Sequence, residues 1–169
     1  MRITILAIVL CCLSATSFAQ AKGPYPFLTV SPDVLVPNAE FSETHKTGFG
    51  FTVSGGYKLC RHFAPGLSYT YYSVQSKNAT LQEDLAAHIV KAGARFYLQD
   101  FYLVADAGTA FVNGYGNGTR FIYSVGAGDE IRLGRRSRLD VSAAYEGLNT
   151  GRNTGIIAVR VGYTHRFFR

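Results

Sequence analysis

Charged side chains in this chain recur at every second position of otherwise apolar runs. Alternate residues of a strand point to the same side, so this spacing collects the charges on one face. Charges on a face that is shielded from water must pair with each other, because an isolated buried charge is costly. The chemistry that this predicts is an interior ionic network without a catalytic group. Its expected members are Lys91, Arg95, Asp106, Glu130, Arg132, Asp140, Glu146 and Arg160.

Histidine and cysteine, which commonly bind metals, are too scattered here for a metal site. Zinc ligands recur at short, regular spacings. The histidines do not, since they stand at positions 45, 62, 88 and 165. We therefore expect neither a metal nor another cofactor.

The first 19 residues have the pattern of a secretory signal peptide. Arg2 precedes an apolar stretch of eleven residues, Ile3–Leu13, and small side chains follow at Ser17 and Ala19. The apolar stretch is far shorter than the roughly 20 residues of a transmembrane helix. We predict cleavage after Ala19, which divides the chain into a signal peptide, 1–19, and one exported domain, 20–169. The exported domain has a single cysteine and cannot form an internal disulfide.

The composition of the chain is that of strands and turns. Of its 169 residues, 14% are aromatic, 18 are glycine and only 17% are charged, which excludes a disordered chain and a charged helical bundle.

Period-two alternation predicts seven strands, and an eighth is needed to close a barrel because bacterial barrels have even strand numbers. We expect the eighth strand at Tyr25–Val36, where Pro32 is the weak point. The other seven strands are expected in alternating runs at 49–59, 63–71, 90–98, 101–111, 121–131, 139–145 and 157–167.

The connections between these runs alternate between short and long. Short turns therefore lie at one end of the sheet and longer loops at the other, as in a barrel with periplasmic turns and external loops. This predicts an all-β fold, an eight-stranded antiparallel up-and-down transmembrane β-barrel. The short turns are expected at 61–62, 99–100 and 134–137, and the long loops at 37–47, 75–87, 113–119 and 147–154.

Two kinds of eight-stranded barrel fit the alternation, and they have opposite polarity. A lipocalin-like barrel is apolar inside, whereas a membrane barrel is apolar outside. The polar face here is rich in glycine, serine and threonine, which suit a narrow interior. We therefore predict an apolar exterior and a polar, packed interior. The alternative is a solvated sheet with surface ion pairs.

Strand pairing assigns partners to some of the interior charges. The short turn at 99–100 places Asp106 beside Lys91 and Arg95, whose long side chains can reach its carboxylate. The third short turn places Arg132 opposite Asp140, if the two faces match. Both arrangements are expectations for a barrel with charges inside.

Aromatic residues cluster near both ends of the runs, which predicts two girdles at the membrane interfaces. The first group lies near the short turns and the second near the long loops. The members are Tyr57, Phe63, Phe96, Phe101 and Phe167, and then Tyr71, Phe111, Phe121, Tyr123 and Tyr145.

The last run, Arg160–Phe167, resembles the terminal-strand signal of outer-membrane proteins. Residues 20–169 as a whole resemble the small eight-stranded barrels of the OmpX and OmpA transmembrane-domain type. The resemblance implies a place in the outer membrane of a Gram-negative bacterium and contact with outer-membrane lipids. It also implies that the barrel-assembly machinery binds the C-terminal strand. We expect a monomer.

The expected function is a structural or surface-interaction role in the outer membrane, with the external loops as the surface for an unknown ligand. Eight strands leave an interior that side chains fill, so we expect no wide pore. The net charge of +6 is spread through the strands, which argues against nucleic-acid binding. The alternative is a lipid-modifying barrel enzyme. Lipid A deacylases resemble one another in a histidine followed two residues later by serine, and no histidine here has that neighbour.

Overall fold

A computed structural model describes residues 24–38, 40–77, 84–114, 118–149 and 153–167. The predicted signal peptide, 1–19, and the tips of three long loops lie outside the described residues. Eight strands and one short helix follow one another within these ranges. They are β1 Tyr25–Asn38, α1 Glu40–Thr44, β2 Gly48–Lys58, β3 Phe63–Val74, β4 Leu85–Leu98, β5 Phe101–Gly114, β6 Gly118–Arg132, β7 Ser137–Asn149 and β8 Asn153–Arg166.

Burial alternates strictly along β1, because successive side chains of a strand point to opposite faces. Thr29 and Asp33 are buried, whereas Leu28 and Val30 are 41% and 47% exposed. Polar side chains therefore point into the barrel and apolar ones point away from it. The first strand predicted at Tyr25–Val36 is confirmed, and it continues to Asn38.

Every strand pairs antiparallel with its neighbours in the chain, and β1 pairs with β8 to close the barrel. Thr29 lies opposite Thr164, and their hydroxyl oxygens are 2.7 Å apart. The register pairs of this seam are interrupted at Ser31 and Pro32, and proline has no N–H to donate to a ladder. The predicted closed, eight-stranded, up-and-down barrel is confirmed.

The turn between β4 and β5 fixes the register of these two strands. Leu98 lies opposite Phe101, as predicted, and Gln99 takes a positive φ of 70° to make the tight connection. The same register places Asp106 opposite Gly93. The predicted two-residue turn is therefore correct.

Strand β4 begins at Leu85, five residues before the predicted start at Val90. The side chains of Leu85, Ala87 and Ile89 are buried in the interior. Apolar residues thus face inward at this end of the strand, whereas Lys91 faces inward further along. The predicted loop 75–87 was too long because the interior changes from polar to apolar within one strand.

The interior is polar through its middle and apolar towards the long loops. Phe41 of α1 is buried in the apolar part. The predicted polar interior therefore describes the middle of the barrel and not its whole length. The apolar part consists of Leu35, Phe41, Tyr72, Val74, Leu85, Ala87, Ile89, Ala110, Val112, Ile122, Leu148, Ile156 and Ala158.

Within the described ranges, no helix is long and apolar enough to cross a membrane.

Candidate functional site

Four strands contribute to an ionic cluster below the apolar part of the interior. We call it the upper cluster, and it consists of Asp33 on β1, Lys91 on β4, Glu146 on β7 and Arg160 on β8. Oε1 of Glu146 accepts hydrogen bonds from Nζ of Lys91 at 2.6 Å and from Nη2 of Arg160 at 2.5 Å. Nε of Arg160 donates to Oδ2 of Asp33 at 3.3 Å. The cluster thus joins β4 to strands on the other side of the lumen.

The upper cluster is shielded from solvent and balanced in charge. The side chains of Lys91 and Glu146 are 1% and 0% exposed, and two cations face two carboxylates. The hydroxyl of Thr52 donates to Oδ2 of Asp33 at 2.5 Å, and the hydroxyl of Tyr72 accepts from Arg160 at 2.9 Å. Buried ions are tolerated when they are paired and hydrogen-bonded in this way.

A second ionic cluster lies towards the short turns. We call it the lower cluster, and it consists of Arg95, Glu130, Asp140 and Arg166. Nη1 of Arg95 is 3.1 Å from Oδ2 of Asp140 and 3.7 Å from Oε1 of Glu130. Arg166 donates to the other oxygen of Glu130. The carboxylates of Glu130 and Asp140 lie opposite one another on β6 and β7, so the two arginines also relieve the repulsion between them.

Two tyrosines complete the lower cluster. The hydroxyl of Tyr97 donates to Glu130 at 2.7 Å, and the hydroxyl of Tyr102 donates to Asp140 at 2.8 Å. The guanidinium of Arg95 stacks over the ring of Tyr102, 4.7 Å from its centre. Sequence reasoning missed both tyrosines, although Tyr97 shares its inward-facing parity with Arg95.

Asp33 and Tyr72 of the upper cluster were missed as well. Asp33 lies at an inward position of β1, two residues from Ser31, and this alternation was the available signal. Tyr72 alternates with the outward tyrosines of β3, and its parity alone could have identified it.

Asp106 does not form the ion pairs that were predicted with Lys91 and Arg95. Both cations extend across the lumen to carboxylates on β7, because the barrel is narrow and their side chains are long. The short side chain of Asp106 instead accepts a hydrogen bond from the hydroxyl of Ser124 at 3.3 Å. It lines a cavity of about 60 Å³ that both clusters also border.

Arg132 does not lie opposite Asp140 as predicted. It lies opposite Arg138, and Asp140 lies opposite Glu130. The turn is tighter than expected, since the backbone N–H of Leu133 already donates to the carbonyl of Ser137 at 3.1 Å. The register between β6 and β7 is thus shifted by two residues from the predicted one. Such a shift keeps every side chain on its predicted face and changes only its partner on the neighbouring strand.

The outer face of the barrel is apolar over its whole circumference. Val125 on β6 is 59% exposed, and Val159 and Val161 on β8 are 41% and 49% exposed. Aromatic residues of both predicted girdles are exposed as well, with Phe96 at 51% and Phe121 at 56%. Such a surface is stable in lipid, and with the charges inside it identifies the polarity of a membrane barrel.

Two histidines lie on this outer face, His88 on β4 and His165 on β8, where His165 contacts the rings of Tyr163 and Phe167. His88 is exposed, and its Nδ1 is 2.8 Å from the hydroxyl of Tyr69. No group of three or more histidine, cysteine, aspartate or glutamate side chains in the described part of the chain is arranged to hold a metal ion. The interior groups that the structure brings together form ion pairs that connect opposite walls of the barrel.

Three solved structures with the same fold are distant from this chain in sequence. Neisserial surface protein A is 19% identical, with a TM-score of 0.69 over 86% of this chain and 100% of that chain. Ail, the attachment invasion locus protein of Yersinia pestis, is 16% identical, with a TM-score of 0.54 over 87% of this chain and 100% of that chain. The outer membrane enzyme PagL is 14% identical, with a TM-score of 0.51 over 81% of this chain and 98% of that chain.

At these identities the likeness establishes the fold and does not select a function, since the same barrel carries an enzyme and surface proteins. No curated protein matches the chain in sequence. A family does: residues 3–165 match the outer membrane protein beta-barrel domain. The match covers nearly the whole chain and agrees with the lipid-facing exterior. The chain therefore belongs to the outer membrane protein beta-barrel domain family.

Proposed function

We propose that this outer-membrane protein has a structural or surface-interaction role, without catalysis and without a wide pore. The observation that carries the proposal is the filled lumen. The ion pair between Lys91 and Glu146 crosses it, and Tyr72, Ile89 and Ile122 are wholly buried. An eight-stranded barrel packed in this way is a rigid support for its loops.

The described parts of the first and second long loops form a hydrogen-bonded surface beyond the barrel. The backbone N–H of Lys46 donates to the carbonyl of Gln75 at 2.9 Å, and that of Lys77 donates to the carbonyl of Thr44 at 2.9 Å. Nζ of Lys77 also donates to the carbonyl of Ser42 at 2.6 Å. The first and second long loops thus support each other, and a preformed surface loses less entropy when it binds a ligand.

Family membership and the sequence support the export route, membrane location and partners that we propose. A signal peptide cleaved after Ala19 exports the chain, the barrel-assembly machinery binds β8, and the folded monomer sits among outer-membrane lipids. An external ligand would meet the loop surface. By their names, Neisserial surface protein A is a surface protein and Ail is an attachment invasion locus protein, which supports a comparable position for this chain.

Reconstitution into planar lipid bilayers tests the proposal of a closed lumen. The mature chain should give no porin-like conductance steps in wild-type form. Tyr72→Ala with Ile122→Ala, which removes two wholly buried interior side chains, should raise the conductance if the lumen is what blocks ions. Large, stable steps from the wild-type protein would contradict the proposal.

The alternative function is modification of membrane lipids, and one observation favours testing it. His88 is placed on the lipid-facing surface beside Tyr69, and the fold is shared with the enzyme PagL. Mass spectrometry of lipid A from cells that express the wild type or His88→Ala decides between the two functions. A change in acyl chains that depends on His88 would support the enzyme, and identical spectra support the non-catalytic role.

A further inference from the structure

The short-turn mouth of the barrel carries two arginines in an unusual arrangement. Arg132 on β6 and Arg138 on β7 are direct register partners, two residues beyond the inward-facing Glu130 and Asp140, and Arg138 is buried whereas Arg132 is exposed at the mouth. Side chains in that relation have Cβ atoms about 5 Å apart, and like charges there are destabilising unless something lies between them. A third arginine, Arg166 on β8, adds to the positive charge on the next strand.

Two side-chain nitrogens of Arg138 lack a hydrogen-bond partner among the described residues. The residue is only 4% exposed, and these two nitrogens, Nε and Nη1, are buried. No described carboxylate forms a salt bridge with it: Glu130 is engaged by Arg166 and Arg95. Buried guanidinium donors that are left unpaired in a native protein call for a bound ion or water.

The excess of positive charge continues around Arg138. Lys58 lies over the ring of Tyr97 at the same mouth, 3.4 Å from its centre. Arg135 and Arg136 are exposed in the turn that begins β7. Against these cations stand Glu130, which is already paired, and Asp100, which acts on Arg138 from beyond salt-bridge distance.

We propose that Arg132 and Arg138 form an anion site at this mouth that binds a phosphate group. A phosphate oxygen placed between the two guanidinium groups would accept hydrogen bonds from both and remove their repulsion. The planar guanidinium fork matches phosphate geometry and holds it more specifically than a point charge does. The exposed side chain of Arg132 gives an approach from the aqueous side.

Two sources of the phosphate group are compatible with this position. One is inorganic phosphate in the aqueous space at the short-turn end, and the other is the headgroup of an anionic phospholipid in the adjacent leaflet. Titration of the mature protein, folded in phosphate-free maltoside micelles, with inorganic phosphate and ³¹P NMR detection tests the first source. Native mass spectrometry of nanodiscs that contain phosphatidylglycerol tests the second source.

Three variants make the experiment decisive. Arg138→Gln and Arg132→Gln should each weaken binding by about tenfold or more, because each removes a charged hydrogen bond. Arg61→Gln removes the same charge from an exposed position in another turn at this mouth and should leave binding unchanged. The Arg132 variant keeps the test valid if the Arg138 variant does not fold, since Arg132 is exposed. Heat-dependent gel mobility reports folding of each variant.

The outcomes separate cleanly. Phosphate binding that is lost in both site variants supports the site with a free phosphate as its ligand. Retention of phosphatidylglycerol alone, with the same loss in the variants, supports the site with a lipid headgroup as its ligand. Binding of neither probe by the wild type would overturn the proposal. An equal loss in Arg61→Gln would also overturn it, since the effect would then be one of net charge.

Discussion

Nζ of Lys91 on β4 lies 2.6 Å from Oε1 of Glu146 on β7, so a single ion pair spans the lumen. Arg160 donates to the same oxygen from β8 at 2.5 Å. One carboxylate therefore holds two cations, and three strands depend on it. Removal of this carboxylate should therefore lower the stability of the whole barrel.

Glu146→Gln should lower the free energy of unfolding by about 3 to 5 kcal/mol, because it leaves Lys91 without its counter-charge and Arg160 with Asp33 alone. Urea titration in lipid vesicles measures the change. Adding Lys91→Met should recover part of the loss, since one stranded charge is then gone. Glu43→Gln, at an exposed position of α1, is the matched control and should change stability by less than about 0.5 kcal/mol. Equal effects of the two glutamate variants would contradict a buried cluster.

Asp106→Asn should cost only about 1 kcal/mol, the typical worth of one hydrogen bond. Its carboxylate accepts from Ser124 and forms no salt bridge with a described residue. The coupling energy between Asp106→Asn and Arg95→Met should be near zero in a double-mutant cycle in the same vesicles. A coupling of several kcal/mol would restore the ion pair that the sequence pattern predicted.

Val159→Arg, halfway along β8, should destabilise the barrel by about 2 to 4 kcal/mol, because it places a charge at mid-membrane depth. Val159 is 41% exposed on the outer face. The control is Leu98→Arg, next to a short turn, where the cost should fall to about 0 to 1 kcal/mol. Similar losses at both positions would contradict a depth-dependent lipid environment.

Lysine labelling on intact cells tests which end of the barrel faces outwards. A membrane-impermeant amine reagent should modify Lys46 and Lys77, which are exposed in the long-loop region. Lys58, at the short-turn end, should react only after the outer membrane is permeabilised. Labelling of Lys58 on intact cells, located by peptide mass spectrometry, would reverse the orientation.

The sequence predicted the barrel well because period-two alternation and turn length are local signals. Leu98 and Phe101 were correctly paired from two turn residues alone. Arg132 was assigned the wrong partner because the next turn closes with a backbone hydrogen bond from Leu133, and turn tightness is weakly encoded in residue types.

The interior partners were harder to predict because they do not depend on strand neighbours. Lys91 bypasses Asp106, which is close to it in register, and bonds Glu146 across the lumen. Such contacts depend on barrel diameter and on the reach of each side chain, which pairwise register does not specify. The apolar part near Ile89 was missed because the inward face of β4 changes from polar at Lys91 to apolar at Ile89, whereas the prediction placed only polar side chains inside.

The interrupted seam between β1 and β8 has a consequence for how the barrel forms. Thr29 and Thr164 are separated by 135 residues in the chain, whereas the other seven strand pairs join consecutive strands. Contacts between distant segments form slowly because a long loop must be closed first. Hairpins should therefore assemble before the ends meet, and closure at Thr29 and Thr164 should be the late, rate-limiting event. The gap at Ser31 and Pro32 makes this seam the place where an unfinished barrel stays open longest.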